Sequence, residues 1–314
     1  MLTARTTQLV GIACVVGAVT IFSLQDLTFK WMSDRYPLHQ IVFIRGIAAI
    51  TVVLALLVPL EGGYRSLRSK RIPLQLLRGL ALVVGNMTFF AGLASLQLAE
   101  GVAIFFTAPL IITLLSIPFL GEQVGRWRLL AVLCGLAGAI IVMRPGSEAF
   151  QSAAILPLIA ACAYSSMTIM TRKLGTDDPA SVMAFYLQVM FIASSVAIYL
   201  VAGDGRFSGS DNKSLEFLLR AWVWPDGSDL VLIVVIGVLN AFGGYLISQG
   251  YRMSEASAAA PFEYVAIPLA VVWGYVVWSD LPDTFSWLGI IMIISAGLFV
   301  AWREMQRSHE DRSD

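Results

Sequence analysis

Ser254-Glu-Ala-Ser-Ala-Ala-Ala-Pro-Phe-Glu-Tyr-Val-Ala-Ile-Pro268 opens an apolar run that continues to Trp278, long enough to cross a bilayer. The run holds two prolines, Pro261 and Pro268, and a carboxylate, Glu263, about 10 Å from its start at ~1.5 Å per residue. Prolines are tolerated inside a spanning helix where neighbouring helices satisfy the freed carbonyls. An acid inside a membrane is costly and points first to function. The competing reading is that Glu263 lies close enough to the helix end to snorkel to water.

The stretch has an echo in the first half of the chain. Leu98-Ala-Glu-Gly-Val-Ala-Ile-Phe-Phe-Thr-Ala-Pro-Leu110, running on to Leu120-Gly-Glu122, also opens on small residues, carries a mid-run proline and ends in an acidic turn. Its partner turn is Ser279-Asp280, and the two runs are 155 to 158 residues apart. Phe22-Ser23 and Lys30 before Tyr36-Pro37 likewise match Tyr164-Ser165 and Arg172 before Asp178-Pro179, 142 residues on. The longer connection after the seventh span accounts for most of the difference in offset. The chain therefore reads as two copies of one unit, residues 1–148 and 149–314.

Composition places both copies in lipid. Hydrophobic residues make up 58% and charged residues 13%, with a mean hydropathy of +0.78, where soluble proteins average about 45–50% and about 25%. The 21 basic and 21 acidic residues balance, so bulk charge gives no reason to expect a nucleic-acid partner. Cys14, Cys134 and Cys162 fall in apolar runs without metal-ligand spacing and read as reduced core residues. The first apolar run continues through Gln25, Asp26 and Lys30 with no small-x-small cleavage site, so it reads as a retained span.

Ten runs are long enough to span: 9–31, 37–59, 72–96, 98–119 and 125–143, then 152–172, 180–202, 229–252, 255–278 and 284–302. The fold class is an all-α integral membrane protein. Most links are short; the exception, 203–228, contains Ser214-Leu-Glu-Phe-Leu-Leu-Arg-Ala-Trp-Val-Trp224, which suits either a short interfacial helix or a flexible loop. Of the 21 Lys and Arg, 13 fall on the side of the N-terminus and 6 on the other, with Arg45 and Arg78 inside spans. This bias predicts that both termini are cytoplasmic. Five spans is an odd number, so the second copy enters the membrane inverted. Inverted repeats around a mid-membrane site are the architecture of secondary transporters.

Polar residues inside the spans are the candidates to line a pathway. Phe22, Asp26 and Lys30 recur at intervals of four on the first span, with Gln25 alongside. Arg45, about 12 Å into the second span, nearly matches the ~9 Å depth of Asp26. An Asp26–Arg45 pair between helices is therefore feasible, either as architecture or as a pair opened by an ionic substrate. Asn86 and Asn240 occupy corresponding mid-depth points, and Tyr245 and Gln249 follow Asn240. Amides at such depth also serve simply to join helices. Tyr164, Ser165, Thr168, Tyr186, Gln188 and Trp273 can supply hydrogen bonds or stacking, although each type is also common in cores and as an interfacial anchor. Arg78 is near enough to the inner end to snorkel and is left out of the site. Gly135, Gly138, Gly289 and Gly297 predict that the fifth and tenth spans brace the structure.

These segments resemble the EamA family of the drug/metabolite transporter superfamily. The resemblance rests on Ala99-Glu-Gly-Val-Ala, Ala108-Pro109, Leu120-Gly-Glu122 and Ala260-Pro-Phe-Glu-Tyr264, and runs from about residue 9 to 302. Leu24-Gln-Asp26, Lys30 and Tyr36-Pro-Leu-His-Gln-Ile-Val-Phe-Ile-Arg45 resemble a branch of S-adenosylmethionine uptake carriers related to organic-anion carriers; a riboflavin-carrying branch is similar around Gln25, Asp26 and Arg45. The resemblance implies a ten-helix basket with a central cavity and alternating access, in a plasma membrane (the bacterial inner membrane). Ser279-Asp280 departs from the Gly-Glu pattern, which suggests unequal gating of the two halves.

The reading is a secondary carrier for an amino-acid-like, S-adenosylmethionine-like or organic-anion-like metabolite, with riboflavin-type vitamins or carboxylates as the alternative. Gln25, Asp26, Arg45, Asn86, Tyr164, Asn240, Tyr245, Glu263, Tyr264 and Trp273 are the expected substrate contacts, and Glu263 or Asp26 can carry a coupling proton. No cofactor, metal or catalytic constellation is expected, since His39 and His309 lie at the membrane edge and no nucleotide loop appears. An integral-membrane enzyme is the runner-up and an assembly protein is third. No heptad or unpaired large apolar face predicts an oligomer, so a monomer in the bilayer with a small-molecule partner is expected.

Overall fold

The computed structural model describes residues 4–310 apart from 62, 68, 70, 122–123, 147–150, 175–178 and 255–258. The expected boundary between residues 148 and 149, Glu122, Asp178 and the opening residues 255–258 of the proline stretch lie outside the described residues. Among the described residues there is no strand, and ten helices are long and apolar enough to cross a membrane. In the first half they are Thr7–Met32, Leu38–Leu60, Ile72–Leu93, Leu98–Leu120 and Arg126–Met143. In the second half they are Ser152–Thr171, Ser181–Ala202, Gly227–Tyr251, Ala260–Trp278 and Thr284–Arg303. Ten crossings put residues 7 and 303 on the same face, called here the terminal face; the opposite one carries the 203–226 connection.

Both proline runs break the α-helix, because proline lacks an N–H and its ring clashes with the preceding turn. The fourth span divides into Leu98–Phe105 and Ala108–Leu120 around Thr107, with Pro109 in the first turn of the second piece. Thr107 Oγ1 donates to Ile104 O at 2.7 Å, and Ser165 Oγ of the sixth span donates to Ala108 O at 3.0 Å. Carbonyls at the break thus find hydroxyl partners, one of them on a neighbouring helix. The ninth span starts as a tighter 3₁₀ turn over Ala260–Val265, containing Pro261, before becoming α-helical over Ala266–Trp278. The fourth and ninth spans end alike: Gly121 (φ 72°) and Ser279 (φ 57°) both close their helices in the left-handed conformation. Ser279 adopts a backbone that glycine takes at lower cost, so the departure in sequence leaves the turn geometry unchanged.

Packing follows a pattern that maps onto itself when the first five spans are exchanged with the last five. The first span packs on the eighth as the sixth packs on the third, and the second on the eighth as the seventh on the third. The first on the ninth corresponds to the sixth on the fourth, while second–seventh, fourth–ninth and fifth–tenth are self-matching. Small residues permit the closest approaches. A Cβ on Gly250 would lie 2.5 Å from Val15 Cγ2 and 3.0 Å from Gly11 O, and one on Gly92 would lie 2.8 Å from Pro157 Cδ. The fifth and tenth spans meet backbone to backbone at Gly138 and Gly289, as the glycine pattern predicts.

The long connection contains a helix, Lys213–Leu219, capped by Asn212 Oδ1, which accepts from Leu215 N at 3.1 Å. Phe217 is fully buried beneath it. The segment is tied to the spans at several points: His39 Nδ1 to Leu218 O (3.0 Å), Arg220 Nη1 to Ser33 O (3.1 Å), and Ser214 to Ser95 (2.8 Å). Gln40 binds Val223 reciprocally, donating at 2.6 Å and accepting at 3.2 Å. Of the two conformations the sequence left open for this segment, the helix is the one that forms.

Candidate functional site

A cavity of about 640 Å³ occupies the middle of the bundle, within the size range of small-molecule sites. At mid-depth it is walled by Gln25, Asp26, Arg45, Asn86 and Asn240. From there its lining runs to Glu61, Thr171, Ser181 and Tyr251, at the terminal-face ends of the second, sixth, seventh and eighth spans. Six Phe and three Tyr rings make up much of the wall. Phe89 and Phe105 (centroids 4.9 Å apart) and Phe105 and Tyr164 (5.5 Å) form one continuous aromatic surface.

The cavity stops short of the opposite face. Phe90 of the wall stacks on Phe29 with centroids 4.0 Å apart, and both rings are buried. Beyond them, Lys30 Nζ donates to Leu93 O (2.9 Å) and Leu96 O (2.5 Å) at the end of the third span and lies 5.2 Å from the centre of the Trp278 ring. An ammonium is favoured there by the unsatisfied carbonyls and the negative end of the helix dipole. Further out, Ser286 Oγ donates to Glu100 Oε1 at 2.6 Å, and Arg144 donates to Asp283 and, at 3.1 Å, to Ser286 Oγ. The Arg144 side chain and the Ser286 N–H hold the Asp283 carboxyl down at about 2. That ion pair is therefore intact through the neutral range and lost only as pH falls through about 2.

The Asp26–Arg45 ion pair that the depths made feasible is not found among the described residues. Arg45, only 2% exposed, donates from Nη1 to Gln25 Oε1 at 2.9 Å, and its guanidinium lies 5.3 Å from the Phe29 ring centre and 5.0 Å from that of Phe191. Gln25 Oε1 also accepts from Asn240 Nδ2 at 2.7 Å, so one oxygen joins the first, second and eighth spans. Successive helical residues point about 100° apart. With Gln25 turned onto Arg45, its neighbour Asp26 points elsewhere, which is why near-equal depth did not bring the two charges together.

Of the residues expected to contact substrate, Gln25, Asp26, Arg45, Asn86, Tyr164, Asn240, Tyr245 and Glu263 line the cavity. Glu263 faces inward at its lower part and accepts a short hydrogen bond from Tyr251 OH. Tyr264 and Trp273 are outside the lining. Tyr264 is buried against Gly297, where a Cβ would fall on the phenol, and packs on Phe106 at 5.4 Å. Trp273 Nε1 instead supports the wall by donating to Ser23 Oγ at 3.2 Å. Arg78, set aside as a residue that snorkels, is 4% exposed and belongs to the cavity wall, with Nη2 donating to Met183 O at 2.9 Å. Glu61 was also missed: it accepts from the N–H of Ser181 at 2.8 Å and so joins the second and seventh spans at the mouth. A carboxylate near a helix N-terminus is favoured on general grounds, but nothing in the local sequence of the second span points to the seventh.

The sequence matches the model described as EamA-like transporter family over residues 9–144 and 151–302. Among curated relatives, a riboflavin transporter of Vibrio cholerae is 28% identical, with 96% of each chain covered. An S-adenosylmethionine uptake transporter of Rickettsia felis is 24% identical over 98% of this chain and 99% of its own. A pseudopaline exporter of Pseudomonas aeruginosa is 27% identical, covering 91% and 94%. A crystal structure superposes with a TM-score of 0.62 over 96% of this chain and 98% of the other at 18% identity, which shows the fold alone.

Proposed function

The chain belongs to the EamA-like transporter family, and we propose that it is a secondary carrier moving a small polar or amphipathic metabolite by alternating access. Its two working parts are the five-helix repeats 1–148 and 149–314, inverted with respect to each other. The observation that carries this reading is the 640 Å³ cavity between the halves, walled by aromatic rings and by amide, carboxylate and guanidinium groups drawn from both. Small-molecule pockets combine an apolar wall with a few orienting polar groups in this way. The relatives named as transporters of riboflavin and S-adenosylmethionine and as an exporter of pseudopaline support a transporter over an enzyme.

The protein is multi-pass in the membrane. The excess of Lys and Arg on the terminal face supports placing that face, with the cavity mouth, in the bacterial cytoplasm. In this reading the inward-open state is the one described above. The opposite gate is the Phe29–Phe90 stack with the Lys30 clasp above it, and the coupling ion is a proton carried by Asp26 or Glu263. Riboflavin-like uncharged rings are the second reading, favoured by the nine aromatic side chains of the wall.

Uptake of a metabolite mixture into proteoliposomes tests the carrier reading. Accumulation of one component is expected, whereas chemical turnover without net flux speaks for an enzyme. Flux unchanged after collapse of the proton gradient removes the coupling. Lys30→Met tests the gate in a chain whose native cysteines are replaced by alanine and which carries Ala241→Cys on the cavity wall. An impermeant thiol reagent added on the face opposite the termini is expected to label the Lys30→Met form several-fold faster. Equal rates mean that Lys30 does not hold the gate.

A further inference from the structure

A second pocket, of about 160 Å³, lies at the face opposite the termini and shares no lining residue with the central cavity. Glu100 lines it from the start of the fourth span, and Val142, Met143 and Arg144 from the end of the fifth. Gln151 just before the sixth span and Asp283 just before the tenth complete its polar wall. All six stand within a turn of a span boundary, so the pocket is level with the lipid headgroups. Glu100 Oε1 accepts from Ser286 Oγ at 2.6 Å. Its other oxygen, Oε2, makes no hydrogen bond among the described residues and is not closed to solvent. Val142 and Met143 bring the C-terminal end of the fifth span to the same place. The last carbonyls of a helix lack a donor within it, and the negative end of the dipole attracts a cation.

We infer that this pocket takes the ethanolamine headgroup of a membrane phospholipid, with its ammonium on Glu100 and the end of the fifth span. An ammonium brings three donors and no acceptor, which suits a free carboxylate oxygen beside helix-end carbonyls. A volume of about 160 Å³ holds roughly five water-sized groups at ~30 Å³ each. That is room for ethanolamine but not for the trimethylated nitrogen of choline, which also has no N–H to donate. Arg144 is already engaged with Asp283 and Ser286, so it balances the lipid phosphate by charge while the ammonium carries the recognition. A free amine offers the same ammonium; the surface around the pocket favours a lipid. Exposed Ile140 and Leu133 continue down the fifth span from Arg144, and exposed Ile155 and Ile159 down the sixth from Gln151. These apolar faces receive acyl chains whose headgroup is seated between them. Glu100 and Arg144 belong to the first half and Asp283 to the second, so the headgroup bridges the halves where the cavity is closed.

The test uses the full chain in detergent, stripped of co-purifying lipid, and follows its melting temperature as lipid is added. The ligands are short-chain phosphatidylethanolamine, its N,N-dimethyl form, phosphatidylcholine and phosphatidylglycerol, with free ethanolamine as the soluble arm. Phosphatidylethanolamine is expected to stabilise the chain at a concentration tenfold or more below that needed of each other lipid. Free ethanolamine at the same concentrations should leave the melting temperature unchanged. Glu100→Gln keeps an acceptor for Ser286 Oγ and removes the charge, so it should bring phosphatidylethanolamine to the level of phosphatidylcholine. Equal action of phosphatidylethanolamine and phosphatidylcholine on the parent overturns the site, as does stronger action of phosphatidylglycerol. A preference unaltered in Glu100→Gln does the same. If that variant does not fold, the methylation series on the parent decides, and affinity independent of methylation overturns the site. Stabilisation by free ethanolamine equal to that by the lipid overturns the lipid in favour of a soluble amine.

Discussion

A Gln25→Leu variant is expected to bind and transport substrate about 100-fold less well than the parent chain while still inserting with ten spans. Gln25 Oε1 is the acceptor for both Arg45 Nη1 (2.9 Å) and Asn240 Nδ2 (2.7 Å). Leucine has a similar volume and no acceptor, so a buried guanidinium and a buried amide would each lose a partner at once. An unsatisfied buried donor costs about 1–3 kcal/mol and more when charged, and roughly 3 kcal/mol corresponds to the 100-fold effect. Most of the loss should be felt in the ligand site, because Arg45 is then free to swing onto Asp26 and neutralise it. Gln25 is thus a positioning residue. Gln25→Glu keeps an acceptor for Arg45 and Asn240 but adds a carboxylate that pairs with Arg45, so it should recover the stability lost in Gln25→Leu and not the binding. Isothermal titration with the substrate found by uptake screening reads both variants; a Gln25→Leu protein that binds normally would show that Arg45 is held by its ring contacts alone.

The second large effect concerns the brace. A Cβ on Gly289 would lie 2.5 Å from Gly138 O and from Val142 Cγ2, and one on Gly138 would lie 2.8 Å from Gly289 O. Backbone atoms cannot rotate out of the way, so a side chain at Gly289 must push the fifth and tenth spans apart. Overpacking typically costs 1–3 kcal/mol, and Gly289→Leu is expected at the top of that range, lowering the melting temperature by roughly 6–12 °C. Gly227→Ala, where a Cβ would meet nothing within 4 Å, is the control and should melt unchanged. Neither the fifth nor the tenth span contributes a residue to the cavity lining. Substrate affinity of the Gly289→Leu protein below its melting point should therefore stay within a few-fold of the parent, which distinguishes a brace from a gate.

The sequence and the structure agree on the spans and part company over side-chain neighbours. Arg78 illustrates the difference. Its distance from the helix end made snorkelling feasible, but the rotation of the third span turns it onto the seventh, where Met183 O receives it. Tyr264 sits next to Glu263 in the chain, yet it faces Gly297 while Glu263 faces the cavity. The tight turn over Ala260–Val265 that separates their directions follows from Pro261, although the span into which Tyr264 turns does not. Glu61 shows the same limit: it is an ordinary polar residue at the end of a span until a second helix brings it to the cavity.

By itself the sequence determined the number and order of the spans and where Pro109 and Pro261 fall within them. Hydropathy, proline chemistry and a rise of about 1.5 Å per residue are local properties of one segment. Only the tertiary structure decided that Arg45 is held by Gln25 and not by Asp26, and that the cavity ends at Phe29–Phe90 yet continues to Glu61 and Tyr251. Those outcomes depend on the rotation and tilt of one helix against another. Close packing of small residues sets them across the whole bundle, and a single segment carries no record of them.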